Sequence, residues 1–269
     1  VQSPEAGNAS LPESRAGITT ILWDNDGVLV DTEGYYFQAT NDVLAPYGLR
    51  MSRKDFARTL LIEGTSTLDA IQGLGGFTEA QIAGIRDERF VLYEKYLAEN
   101  DLVIPGAVET LDRLSRTFRM GVVTGSTARH LTLQHERTGL LHHFAFCVTA
   151  DDYEHYKPDP EPYLLAMERG GVRADECIAV EDTPRGLQAA QAAGIACIVV
   201  PNKMLGPTHF VGADAVVGSI RDVVGAVVRL IGRRLSWGRT AASGVHRLGL
   251  PCIGPSPIGS NGPVHLERS

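Results

Sequence analysis

Residues 18–23 form an uncharged, mostly apolar run, and directly beyond it stand Asp24 and Asp26, two residues apart. A run this short, rich in β-branched and aromatic residues, predicts a buried strand. Gly27 then lets the backbone turn away at once. Two neighbouring carboxylates at a strand end repel each other unless a cation compensates them. One segment thus predicts both a strand inside a sheet and a functional edge where that strand stops. It points to a metal site or an acid/base pair.

Further short apolar runs follow at residues 119–124, 145–149, 177–181 and 196–200, with a short edge strand expected at 214–217. Helical patterns separate them, over residues 107–116, 128–138, 161–169 and 185–193. Strand–helix alternation with near-continuous apolar strands predicts an α/β fold, a Rossmann-like parallel sheet flanked by helices. Between residues 34 and 101 the pattern changes. Helices are expected over 35–47, 52–59, 65–74 and 78–100, with no good strand. Such a block, inserted after the first strand, predicts a small α-helical cap domain over 34–101. Its hinges fall at 31–33 and 102–106, and residues 18–33 and 102–231 make the core.

The ends read differently. Residues 1–17 lack a basic start and an apolar centre, so they are not a signal peptide, and a flexible leader is expected. Residues 232–269 are rich in Gly, Pro, Ser and Arg and show no sustained periodicity. They carry Arg233, Arg234, Arg239, Arg247 and Arg268 against Glu267, which predicts a disordered basic tail. A formal net charge of -7 argues against a nucleic-acid partner held by a basic surface. No apolar stretch reaches membrane-spanning length. Cys147, Cys177, Cys197 and Cys252 are widely spaced, without a CxxC or zinc pattern, which fits a reducing cytoplasm. A monomer acting on a small molecule is the expectation.

Three more polar clusters stand at or just beyond predicted strand ends, where ligands bind in open parallel sheets. Thr124-Gly125-Ser126 precedes a helix and offers hydroxyls and backbone N–H groups suited to a phosphate oxygen. Lys157 lies in HYKPDPEPY, a setting stiffened by Pro158 and Pro160. Glu181-Asp182 ends the run CIAV, a second pair of acids that calls for a cation. His130 and His135 read as surface or helix residues, His142-His143 as a loop, and Asn202-Lys203 as a solvated loop, with a place facing the site from their strand end as the alternative.

The order DxDGVLxDTE, VVTGS, KPDPEPY, VEDTPRGLQAAQAAG resembles the haloacid dehalogenase-like hydrolase superfamily. The resemblance covers about residues 18–230. It is strongest to the helical-cap branch that includes β-phosphoglucomutase, phosphoglycolate phosphatase and sugar-phosphate phosphatases. The presence of Asp26, which dehalogenases of this fold lack, favours phosphoryl transfer. The resemblance implies that Asp24 is the nucleophile, forming an aspartyl-phosphate, and that Asp26 is the general acid and base. It implies Mg2+ held by the Asp24 carboxylate, the Asp26 carbonyl and Asp182, with Glu181 nearby. Thr124, Gly125, Ser126 and Lys157 would bind the phosphate. Glu33, Tyr36 and Thr67 are the candidate substrate-facing residues of hinge and cap. In the mutase pattern a histidine and an arginine stand where this chain has Tyr36 and Thr67. The expectation is therefore a phosphatase for a small phosphorylated metabolite. A phosphomutase is the alternative, and a non-catalytic relative the third reading.

Overall fold

The computed structural model describes residues 17–72, 76–205, 210–241 and 266–268. Nearly all of the expected leader and the stretch 242–265 of the expected tail, with Cys252, lie outside the described residues.

Six strands form one parallel sheet in the order β4-β3-β1-β5-β6-β7. They are β1 (Thr20–Trp23), β3 (Arg119–Val123), β4 (Phe146–Val148), β5 (Cys177–Glu181), β6 (Ala196–Val199) and β7 (Ala215–Val216). Every residue of β1 is buried. Its alternate side chains feed two different cores. Ile21 and Trp23 join Val122, Val180 and Ile198 on one face, while Leu22 joins Val123, Ala179, Cys197 and Val199 on the other. Burial on both faces explains why these strands are apolar throughout rather than alternating.

Register decides where the site falls. Trp23 sits beside Val122 on one side and Val180 on the other. The residues that follow these three strands therefore emerge together at one sheet edge. The chain runs outward from β1 through β3 and β4, then returns to β5 on the other flank. The crevice between β3 and β5 is a topological switch point, the place where such sheets bind ligands.

Helices α5 (Ala107–Leu114), α6 (Ala128–His135), α7 (Glu161–Gly170), α8 (Pro184–Ala192) and α9 (Val223–Ala241) connect or flank the strands. Two of them start at the functional edge with threonine caps. Thr127 accepts from the His130 N–H and Thr183 from the Gly186 N–H.

Between the hinges lie α1 (Glu33–Leu44), α2 (Arg53–Phe56), a π-helical stretch at Ala57–Glu63, α3 (Thr67–Gln72) and α4 (Glu79–Glu99). They share an apolar cluster of their own, with Val43, Leu44, Met51, Phe56, Leu68, Ile82 and Ile85. A capping box between Thr78 and Gln81 starts α4. The two hinge strands meet where Val30 bridges Val103.

Three expectations fail here. The segment read as strand-free contains β2 (Leu49–Met51), and its antiparallel partner is β8 (Leu266–Arg268), inside the stretch read as a disordered tail. Three residues are too few for a period-2 pattern, and a partner so distant in sequence leaves no local sign. Helix α9 also runs on to Ala241, past the boundary placed at residue 231. Gly232 interrupts the pattern, but a glycine inside a helix costs only about 1 kcal/mol and does not end one. No helix among the described residues is long and apolar enough to cross a membrane.

Candidate active site

Asp24 follows β1 directly, with its N–H donating to the Val180 carbonyl at 2.9 Å. Its carboxylate is buried and meets Lys157. The Lys157 ammonium donates three hydrogen bonds: to Asp24 Oδ1 at 2.8 Å, Glu181 Oε1 at 2.7 Å and the Val123 carbonyl at 2.8 Å. Lys157 precedes a cis peptide bond to Pro158. Burial alone would lower its pKa, but Asp24 and Glu181 together carry it well above the usual lysine value. Burial raises Asp24 to about 7, with Lys157 pulling it down and Glu181 and Asp26 pushing it up. Without a further cation, Asp24 and Glu181 share this one ammonium.

Asp26 is held in a different way. Thr32 Oγ1 and Gln134 Nε2 donate to its Oδ1 at 2.6 and 2.8 Å. Thr124 Oγ1 and Ser126 Oγ donate to its Oδ2 at 3.0 and 2.9 Å. The two hydroxyls read from sequence as phosphate donors are thus given to Asp26. Gly27 carries a φ of 79°. A side chain there would also run into the Asp182 carboxylate, so the turn after Asp26 requires glycine on both counts.

Glu181 and Asp182 end β5 fully buried. Tyr163 Oη donates to Glu181 Oε1 at 2.5 Å, and Asn202 Nδ2 donates to Asp182 Oδ2 at 2.8 Å. Asn202 takes the alternative place, facing the site from its strand end rather than lying in a solvated loop, and is a buried partner of the acidic group. Gly186 clears the space for Glu181, since a Cβ there would strike the carboxylate. Burial, then Glu33 and Asp24, push Asp182 well above the usual carboxylate range. Burial, then Asp26, do the same to Glu33 at the start of α1.

Asp24, Glu181 and Asp182 each present an oxygen within 4.8 Å of the others. Glu181 Oε2 and Asp182 Oδ1 are buried without a hydrogen-bond partner. Buried acceptors left open beside a third carboxylate fit a hard divalent cation such as Mg2+. The Asp26 side chain stands outside this trio.

A cavity of ≈ 510 Å3 opens over the group. Asp24, Asp26, Gly125, Ser126, Lys157, Glu181 and Asp182 form its floor. Glu33, Tyr36, Leu60, Gly64, Phe90 and Tyr93 face it from the segment 33–101. Thr67 does not line it. Thr67 Oγ1 instead accepts from the buried Arg89 at 2.8 Å, and the Arg89 guanidinium lies 4.6 Å from the centre of the Tyr36 ring. The sequence reading had found no cation at these cap positions. The cation comes from α4, more than twenty residues beyond Thr67, so no local motif pairs them. Arg185 was missed as well. From α8 it donates to the carbonyls of Lys157 and of Leu60 in the 34–101 segment, and lies over Gly64.

The sequence matches the model of the haloacid dehalogenase-like hydrolases over residues 21–200. It is 29% identical over 185 residues to the fructose-1-phosphate phosphatase YqaB of Escherichia coli, covering 67% of this chain and 95% of that protein. It is 30% identical over 179 residues to the phosphorylated carbohydrates phosphatase of Thermotoga maritima, covering 65% of this chain and 81% of that one. Among solved structures, CbbY of Rhodobacter sphaeroides in complex with phosphate is similar with a TM-score of 0.67 and 26% identity. That likeness spans 77% of this chain and 96% of CbbY.

Proposed function

Because this chain belongs to the haloacid dehalogenase-like hydrolase family, we propose that it is a Mg2+-dependent phosphatase for a small phosphate monoester, working through an aspartyl-phosphate on Asp24. It is a phosphoric monoester hydrolase, the class to which its phosphatase-named relatives point. A sugar phosphate or a similar metabolite is the proposed substrate. The observation that carries the reading is the buried group Asp24, Glu181 and Asp182, with Lys157 on Asp24 and the cavity directly above.

Each residue has a physical task. Lys157 occupies Asp24 Oδ1, which leaves Oδ2 to attack phosphorus. Its charge also offsets the repulsion between that carboxylate and an incoming phosphate dianion. Asp24, Asp182 and the Asp26 carbonyl would hold Mg2+, with Glu181 beside them. When bound, the ion supplies the remaining positive charge against the transferring phosphoryl group. Asp26 delivers a proton to the departing alcohol and then takes one from the water that cleaves the intermediate. Ser126, Gly125 and the cap residues shape the space around the phosphate and the rest of the substrate. The 34–101 segment acts as the cap, closing over the cavity to exclude bulk water.

Phosphomutase remains the second reading, and Arg89 is the observation that favours it. A cation behind Tyr36 supplies the cap with positive charge that Tyr36 and Thr67 lack. Arg89 does not line the cavity, however, and its Nη1 is already engaged. The phosphatase reading is therefore preferred. Phosphorus NMR decides between them, with a hexose 1-phosphate as substrate and trace hexose 1,6-bisphosphate present. Inorganic phosphate should accumulate, and only after Mg2+ is added to chelator-treated protein. Dominant formation of the 6-phosphate isomer would establish the mutase, and full activity without a divalent cation would reject the site.

A further inference from the structure

Asp26 is the end of a chain of buried side chains that nothing in its own motif announces. Gln134 and His135, adjacent on α6, are 1% and 4% exposed, and Asn25 is fully buried. Gln134 Nε2 lies 2.8 Å from Asp26 Oδ1. Gln134 Oε1 lies 2.6 Å from Asn25 Nδ2. Asn25 Oδ1 lies 2.7 Å from His135 Nε2, and His135 Nδ1 lies 2.8 Å from Thr138 Oγ1.

The polarity of this chain follows from one end. The Asp26 oxygens already accept from the hydroxyls of Thr32, Thr124 and Ser126, and Gln134 gives its amide nitrogen to Oδ1 in the same way. Its oxygen then faces Asn25, which must answer with nitrogen. The Asn25 oxygen is left for His135, which must donate from Nε2, and a neutral ring then accepts at Nδ1 from the Thr138 hydroxyl. That is the tautomer of a neutral imidazole, in accord with burial lowering the His135 pKa to about 4. Any flipped amide along the line would set an oxygen against an oxygen. Buried and paired at every link, such a network selects one arrangement of its members.

We infer that Gln134, locked by Asn25 and His135, is a positioning residue that sets the orientation of the Asp26 carboxylate for proton transfer. The inference rests on the reading of Asp26 as the general acid and base. Gln134 reaches Asp26 from the core. Its remaining amide proton has Tyr93 Oη of the cap at 3.4 Å and Ser126 Oγ of the floor at 3.4 Å as neighbours. Thr32 holds the same Asp26 oxygen from the hinge. One carboxylate oxygen is thus fixed from two directions. Losing Gln134 leaves that oxygen to Thr32 alone, with Thr124 and Ser126 on the other, and removes the one amide donor that ties the carboxylate to the core.

The test compares Gln134→Met, similar in volume but without the donor, with Asp26→Asn and the unmodified protein. Release of alcohol or phenol is followed in a single turnover from an alkyl phosphate and from p-nitrophenyl phosphate. Only the alkyl leaving group needs a proton in that step. Gln134→Met should lower the alkyl-to-aryl rate ratio by about tenfold, a fraction of a general acid's full effect, with KM changed less than about threefold. An unchanged ratio in folded Gln134→Met overturns the inference, whether both rates stay the same or fall equally. If Asp26→Asn leaves the ratio unchanged too, the acid/base reading fails with it. If Asp26→Asn lowers the ratio and Gln134→Met does not, only the inference fails. Should Gln134→Met fold poorly because Asn25 is left unpaired, Asn25→Leu/Gln134→Met/His135→Leu removes the linked partners together and carries the same comparison.

Discussion

The two walls of the cavity are built on opposite terms. On the sheet side, Asp24 and Glu181 share the Lys157 ammonium, while Asp26 is held by Gln134 and Asp182 by Asn202. On the cap side the lining is mostly aromatic and aliphatic, with Tyr36, Phe90, Tyr93 and Leu60 beside the uncharged Thr65 and Ser66, and Arg89 held behind the rings. The sheet side stores electrostatic repulsion that only a cation or a proton relieves. The cap side offers shape and an apolar screen. Chemistry should therefore depend on the first wall, and the choice of substrate on the second.

The sharpest way to break that division is Asp24→Asn. The amide is nearly isosteric but a poor nucleophile, so kcat should fall by at least about a thousandfold while the protein stays folded. Steady-state assays on a preparation free of deamidation check this, and turnover near the wild-type rate would remove Asp24 from the chemistry.

A smaller effect tests whether the sheet side is also the acid-sensitive half. His135 is buried neutral, and its folded pKa of about 4 lies below the ordinary 6.5. Below pH 6.5 the unfolded chain takes up a proton that the folded one resists. The associated stability is present above 6.5 and lost as the pH falls through 4, roughly 3 kcal/mol in all. His135→Gln keeps a donor toward Asn25 without the titration. Its melting temperature should drop less than the wild type's between pH 7 and 4.5, as calorimetry would show. Parallel curves would place the acid sensitivity elsewhere.

The smallest expected effect belongs to the cap. Tyr36→Phe removes one hydroxyl from a ring that lines the cavity. KM should shift by less than about tenfold with kcat within about twofold, the pattern of lost uniform binding. A hundredfold loss of kcat in that variant would show that the cap wall takes part in the chemistry.

Much of this was legible beforehand because it is local. A strand buried on both faces must be apolar throughout, so five of the six sheet strands stood out, and β7 did as a short edge run. The acids at the ends of β1 and β5 stood out for the same reason, since charge directly after a buried run is costly unless it has a use. The roles given to Thr124 and Ser126 show where such reading stops. Their position at the functional edge was evident, but their hydroxyls turn to Asp26, and only the side-chain geometry shows it.

The sequence by itself determined the order of the strands along the chain, the apolar faces and the four polar clusters, each a property of a few consecutive residues. Tertiary structure alone decided what those clusters do to one another. It placed Gln134 and His135 against Asn25 and Asp26 across more than a hundred residues of chain. It brought Asn202 onto Asp182 and Arg89 onto Thr67, and it paired β2 with β8 from nearly the far end of the chain. A buried polar group must find a partner, but nothing in its neighbours along the chain says which one, because the partner is chosen by the packing that brings distant segments within hydrogen-bond reach.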